Sequence, residues 1–129
     1  MSNEDLKHTF GYQQVDPQQR QQRLRAVFNA VPPRYDLMND FMSFGIHRLW
    51  KRSLARHARA LPGQTIIDLA GCTGDVARLL SGSDRTVVIL DPSITMMRAG
   101  EQKGLEHITR LGGSGETLPL ADNSVDTLT

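Results

Sequence analysis

Cysteine is nearly absent. The single thiol in 129 residues, Cys72, excludes an internal disulfide and any cysteine-based metal cluster, and no metal site is expected. No apolar run approaches the ~18 residues that a membrane-crossing helix requires. The opening Met1-Ser2-Asn3-Glu4-Asp5 is acidic and reads as neither a secretory signal nor an Arg-rich transit peptide. Internal repeats are missing. What is there is ordinary: 22% charged and 39% AVILMFWYC residues, in a length that suits one small domain. Disorder throughout is excluded by that composition.

The net charge of +1 conceals an asymmetry. Residues 1–60 hold ten Lys/Arg and five Asp/Glu, whereas residues 61–129 hold five and nine. A basic half can mark a nucleic-acid or anionic membrane surface. Five excess charges spread over sixty residues read instead as a solvated helical face, and no nucleic acid is expected.

Residues 1–22 are polar and Gln-rich, and read as a mobile arm turning helical after Pro17. From Arg20 to Ala30 the period is helical, with Leu24, Val27, Phe28 and Val31 on one stripe that Pro32-Pro33 ends. Residues 35–44 are apolar and Met-rich, and Gly45 breaks them. Ile46, Trp50, Leu54 and Ala58 form a further helical stripe among basic residues, closed by Leu61-Pro62-Gly63. Ordinary core packing is the expected fate of most of these Met and aromatic side chains.

The texture changes at Thr65. Strands are predicted at Thr65–Leu69 and Thr86–Leu90, with a weak one at 107–111 and another starting at Val125. Helices are predicted from Asp75 to Leu80 and from a Ser93 cap to about Lys103. Such alternation implies an α/β fold with a parallel sheet and right-handed crossovers.

Three segments carry chemistry. Ala70-Gly71-Cys72-Thr73-Gly74 is a small-residue turn between a strand and a helix, where α/β sheets bind nucleotides. It lacks the full G-x-G-x-x-G of dinucleotide folds. Asp91 follows Gly71 by twenty residues, at the end of the second strand. A carboxylate there can accept hydrogen bonds from both hydroxyls of a ribose; the alternative is an Asp-Pro turn with Asp91 as helix cap. NAD and S-adenosylmethionine (SAM) both carry that ribose, so Asp91 does not separate them. Ser114-Gly115-Glu116-Thr117-Leu118-Pro119 follows the third strand, where an adenine would lie.

Tyr35-Asp36-Leu37-Met38-Asn39-Asp40 and Met42-Ser43-Phe44-Gly45-Ile46-His47-Arg48-Leu49-Trp50-Lys51-Arg52 closely resemble the ubiquinone/menaquinone biosynthesis C-methyltransferase family. So do Asp68-Leu69-Ala70-Gly71-Cys72-Thr73-Gly74-Asp75 and Leu118-Pro119-Leu120-Ala121-Asp122-Asn123. The resemblance runs from about Phe10 to Thr129. It implies N-terminal helices followed by the first half of a Rossmann-like class I methyltransferase sheet. Residues 23–129 would be an incomplete SAM-dependent domain, with 23–61 as a helical cap on the substrate side and 64–129 as the cofactor half. The implied reaction is methylation by SAM of a ring carbon of a polyprenylated benzoquinol or demethylmenaquinol.

By position, Thr73 and Gly74 would border the methionine moiety, Asp91 the ribose, and Ser114 and Gly115 the adenine, with Gly71 also counted among the cofactor-binding residues. Tyr35, Asn39, His47 and Arg48 are the polar residues expected on the substrate side; no catalytic base is assigned. A cytoplasmic protein drawn peripherally to the inner membrane by its substrate is the corresponding expectation. The competing readings are a non-catalytic SAM-binding remnant or interaction module, and a different small-molecule methyltransferase.

Two departures from the family pattern stand out. Cys72 occupies a position where the family has Gly, and Ser114 one where it usually has Asp or Asn. The chain also stops at Thr129, inside the fourth strand, where the family's sheet has seven. A truncated gene or a fragment is the expectation there. A bare parallel edge predicts poor solubility or oligomerisation, and the resemblance adds a quinone-biosynthesis complex as an expected partner.

Overall fold

β-Branched runs set the sheet. The computed structural model describes residues 9–10, 12–30, 34–101, 104–105 and 107–129. A two-residue antiparallel pair, β1 (Thr9–Phe10) with β2 (Gln13–Gln14), precedes α1 (Pro17–Ala30). Then come α2 (Tyr35–Ser43), α3 (Ile46–Ala58), β3 (Thr65–Leu69), α4 (Asp75–Leu80) and β4 (Thr86–Asp91). The chain continues through α5 (Ile94–Glu101), β5 (Thr109–Gly112) and β6 (Thr127–Leu128). The sheet order is β5-β4-β3-β6 with every pairing parallel. Strands are added outward from β3 to β5, and the chain then returns to the other side of β3. That reversal opens a crevice at the carboxyl ends of β3 and β6, the place where open α/β sheets bind ligands.

The strand and helix expectations in this half hold within two residues, the last strand being confined to Thr127–Leu128. Ser93 accepts the Met96 N–H at 3.3 Å and so caps α5 as expected. Val31, Pro32 and Pro33, and the expected end of α5 at Lys103, lie outside the described residues. The core sits between the sheet and α4–α5. Ile66, Ile89, Ala77, Leu80 and Leu105 are fully buried there. Each of the large aliphatic side chains stabilises by roughly 1.5–3 kcal/mol relative to exposure.

The N-terminal helices differ from expectation in a consequential way. None of α1, α2 or α3 contains a buried residue. On α2, Tyr35, Asp36, Asn39, Asp40 and Ser43 are half-buried, while Leu37, Met38, Phe41 and Met42 are exposed. On α3, the predicted stripe of Ile46, Trp50 and Leu54 faces solvent, and His47, Lys51, Ala55 and Ala58 face inward. Periodicity says which residues share a face, not which face meets the body. Two ion pairs lie on the inward side of these helices: His47 Nε2 to Asp40 Oδ1 at 2.7 Å, and Lys51 Nζ to Asp75 Oδ2 at 2.7 Å. The Met and aromatic side chains of α2 therefore do not pack into the core. Likewise Val27 and Phe28 of α1 are exposed.

Candidate functional site

Three loops converge at the carboxyl ends of the parallel strands. The first is the turn 70–74 after β3. Gly71 is required there by close approach: a Cβ would meet Asp68 Oδ2 at 2.7 Å. Gly74 has φ 86°, and a Cβ on it would also meet Ile89 at 2.7 Å. Thr73 and Gly74 are buried and Gly71 is half-buried. Cys72 has φ 50°, in the left-handed region that favours glycine.

The second loop begins with Asp91, which is 3% exposed. Its Oδ2 accepts the Cys72 N–H at 3.0 Å, and its Oδ1 accepts the Ser93 N–H at 2.7 Å. The carboxylate thus closes its own Asp-Pro turn, the alternative weighed from sequence, and also ties the first loop to the second. Each oxygen keeps a further acceptor site. The third loop is anchored by the Gly113 N–H, which donates to the Asp91 carbonyl at 3.3 Å. Ser114 and Gly115 are exposed, and Gly115 lies against Leu69 at the end of β3. Ser114 Oγ is occupied by the Glu116 N–H at 3.2 Å, within its own turn.

Of the four residues expected on the substrate side, Tyr35 meets these loops, and Asn39 lies one turn further along α2. The Tyr35 hydroxyl lies near the Cys72 thiol, close enough for each to shift the other. Burial pushes the Tyr35 hydroxyl above its usual range, and the neighbouring thiol adds to the rise. Burial likewise pushes the Cys72 thiol up to about 11, with the Asp91 carboxylate reinforcing it. This is the opposite of an activated nucleophile.

The other two are drawn elsewhere. His47 and Arg48 both clasp Asp40, Arg48 through Nε at 2.8 Å as well as through its terminal nitrogen. The Arg48 guanidinium, then His47, holds the Asp40 carboxyl well below the usual carboxylate range. Both residues line a separate cleft of about 380 Å³ between α3 and α4, with Lys51, Arg52, Asp75 and Arg78 on its walls.

Asp68 is a residue that motif reading left without a role. It is 4% exposed, and its Oδ2 accepts the Ala77 N–H at 3.0 Å, holding the start of α4 to β3. Burial pushes its carboxyl up to about 6. The signal was available: a carboxylate inside an apolar strand has to be neutral, paired or hydrogen-bonded. Asp40, Lys51 and Asp75 gave no such signal, because their pairings cross elements.

A parallel sheet with this strand order and three convergent loops defines the Rossmann-like class in which methyltransferases are found. Solved structures agree on the fold. The YcgJ protein of Bacillus subtilis is 21% identical with a TM-score of 0.53, covering 60% of this chain and 36% of that one. A SAM-dependent methyltransferase from Aquifex aeolicus is 24% identical with a TM-score of 0.52, covering 60% of this chain and 45% of that one. Within this class the chain belongs to the ubiE/COQ5 methyltransferase family, which it matches over residues 16–129. It is 59% identical to the ubiquinone/menaquinone biosynthesis C-methyltransferase UbiE of Rubrivivax gelatinosus, over 96% of this chain and 49% of that relative. The UbiE of Klebsiella pneumoniae is 41% identical, over 98% and 54% respectively. The chain spans about half the length of the curated relatives it matches.

Proposed function

We propose that this chain supplies the cofactor-binding half of a SAM-dependent C-methyltransferase acting on a polyprenylated benzoquinol or demethylmenaquinol. The observation that carries the reading is the Cys72–Asp91 hydrogen bond, which brings the small-residue turn and the carboxylate into one crevice. The donor set fits an adenosyl group. Asp91 offers the ribose its remaining acceptor sites, Thr73 and Gly74 border the methionine end, and Ser114 and Gly115 border the adenine. Bound SAM supplies an electrophilic methyl sulfonium. The protein's task is to hold it in line with a ring carbon and exclude water, an alignment worth roughly 7–11 kcal/mol. Tyr35 and Asn39 are the polar groups we assign beside the reacting end, since Tyr35 touches the cofactor turn. Residues 23–61 act as the cap on the substrate side. The substrate dissolves in the bilayer, so the protein works in the cytoplasm at the membrane surface.

A second reading, binding without turnover, is favoured by one feature. Cys72 places a thiol between Tyr35 and Asp91, at a position where ribose hydroxyls must enter. Calorimetry with SAM, using the 129-residue chain, tests the first reading. Micromolar binding that Asp91→Ala abolishes, with Asp91→Asn folded and weakened at least tenfold, supports the ribose role. Unchanged affinity in a folded Asp91→Asn removes it. Methyl transfer to a demethylated quinol analogue by this chain alone ends the second reading.

A further inference from the structure

We infer that the Lys51–Asp75 pair recognises the amino-acid end of the cofactor: Lys51 takes its α-carboxylate, Asp75 takes its α-ammonium, and together they select SAM from other adenosyl compounds. The inference rests on the reading of the turn 70–74 and Asp91 as an adenosyl site. A ribose at Asp91 is common to SAM and NAD, whereas the zwitterion belongs to SAM. The first observation is position. The cleft of about 380 Å³ between α3 and α4 begins where the turn ends, since Asp75 on its wall directly follows Gly74. Asp36, also on that wall, follows Tyr35, which lies near the Cys72 thiol. The charge of Asp75 reaches the Tyr35 hydroxyl too. A row of polar groups therefore runs from Asp91 through Cys72 and Tyr35 to Asp75 and Lys51. On the adenosyl reading, a ligand chain that leaves a ribose at Asp91 and passes Thr73 and Gly74 arrives at Asp75.

The second observation is charge. Lys51 Nζ meets Asp75 Oδ2 at 2.7 Å, with the two side chains 24% and 21% exposed. An ion pair so far withdrawn from water contributes little net stability, because desolvation offsets the attraction. Ala55, Ala58 and Val76 already pack these helices onto the core by apolar contact. That leaves the pair to be explained by its place beside the turn. A zwitterion suits it. One direct pair opens into two, Lys51 with the carboxylate and the ammonium with Asp75, and no charge is left without a partner. Arg52, next to Lys51, and Arg78, one turn beyond Asp75, share the cleft and form no ion pair among the described residues. They add positive potential where the carboxylate would sit. A diphosphate fits badly, because its negative charges would face Asp36 and Asp75.

Calorimetry on the 129-residue chain tests this with two ligands. S-Adenosylhomocysteine keeps the amino-acid end, and 5′-methylthioadenosine keeps the adenosyl thioether without it. The parent chain should bind the first at least tenfold tighter, the scale of one charge-assisted hydrogen bond. Lys51→Met should bring the first down to the second and leave the second unchanged, which also reports an intact fold. Lys51→Met/Asp75→Asn removes both charges, so neither is stranded should the single variant unfold, and it should show the same loss. Lys51→Arg should restore most of the preference. Equal binding of the two ligands by the parent overturns the inference and leaves the adenosyl reading standing. Equal loss of both ligands in a folded double variant also overturns it. Asp91→Asn, by contrast, should weaken both alike. Failure of the parent to bind either ligand sinks the adenosyl reading, and the inference with it.

Discussion

The Cys72 backbone N–H donates to the Asp91 carboxylate at 3.0 Å, and the Cys72 thiol lies against the same carboxylate and the Tyr35 hydroxyl. One residue therefore links the turn 70–74, the Asp91 carboxylate and the first residue of α2. It also sits in a conformation that glycine adopts without penalty.

Cys72→Gly should relieve that conformation. The left-handed backbone costs a non-glycine residue about 1–3 kcal/mol, and the loss of buried thiol contacts offsets part of it. A net stabilisation of about 1 kcal/mol is expected in urea unfolding, together with tighter SAM binding by calorimetry. A destabilised variant with unaltered affinity would mean that the thiol is tolerated.

Native Cys72 should resist alkylation. A thiol pushed up to about 11 holds roughly a hundredfold less thiolate at neutral pH than one at the ordinary value of 9.0. Iodoacetamide labelling followed by mass spectrometry should be about two orders of magnitude slower in buffer than in denaturant. Equal rates would show a thiol that is solvated and not held by Tyr35 and Asp91.

Asp68 gives the chain a distinctive pH slope. Its carboxyl is raised from 3.8 to about 6 on folding, so the folded state holds the proton more tightly. That contribution is complete below pH 3.8 and is lost as pH rises through about 6, roughly 3 kcal/mol in all. Asp40 acts in the opposite sense: lowered by Arg48 and His47, it stabilises above the ordinary carboxylate range and is lost in acid. Asp68→Asn keeps an acceptor for the Ala77 N–H and never ionises. Denaturation curves from pH 4 to 7 should therefore flatten in this variant. Its stability at neutral pH should exceed the parent's. Parallel pH profiles for the two chains would contradict a raised Asp68.

Much of the sheet was legible because its signals are local. Ile66-Ile67 and Val87-Val88-Ile89-Leu90 are apolar runs bounded by turn residues, and a buried parallel strand needs nothing more. The Asp-Pro turn that Asp91 closes was legible too, since its partner Ser93 is two residues on. The Cys72 partner was not, because it lies nineteen residues away across a loop. The N-terminal helices show the limit most clearly. Spacing grouped Ile46, Trp50, Leu54 and Ala58 and pointed them at the core, but only Ala58 packs there and the other three face solvent.

The sequence by itself determined the order of the sheet's elements, the small-residue turn after β3 and the family, because each is written in contiguous residues or in a fixed spacing along the chain. Only the tertiary structure decided that α2 and α3 turn their polar faces inward and that Cys72 lies between Tyr35 and Asp91. The physical reason is that these outcomes depend on ion pairs and hydrogen bonds between separate elements: Asp40 with His47 and Arg48, Lys51 with Asp75, Cys72 with Asp91. Such pairings have no period in the sequence.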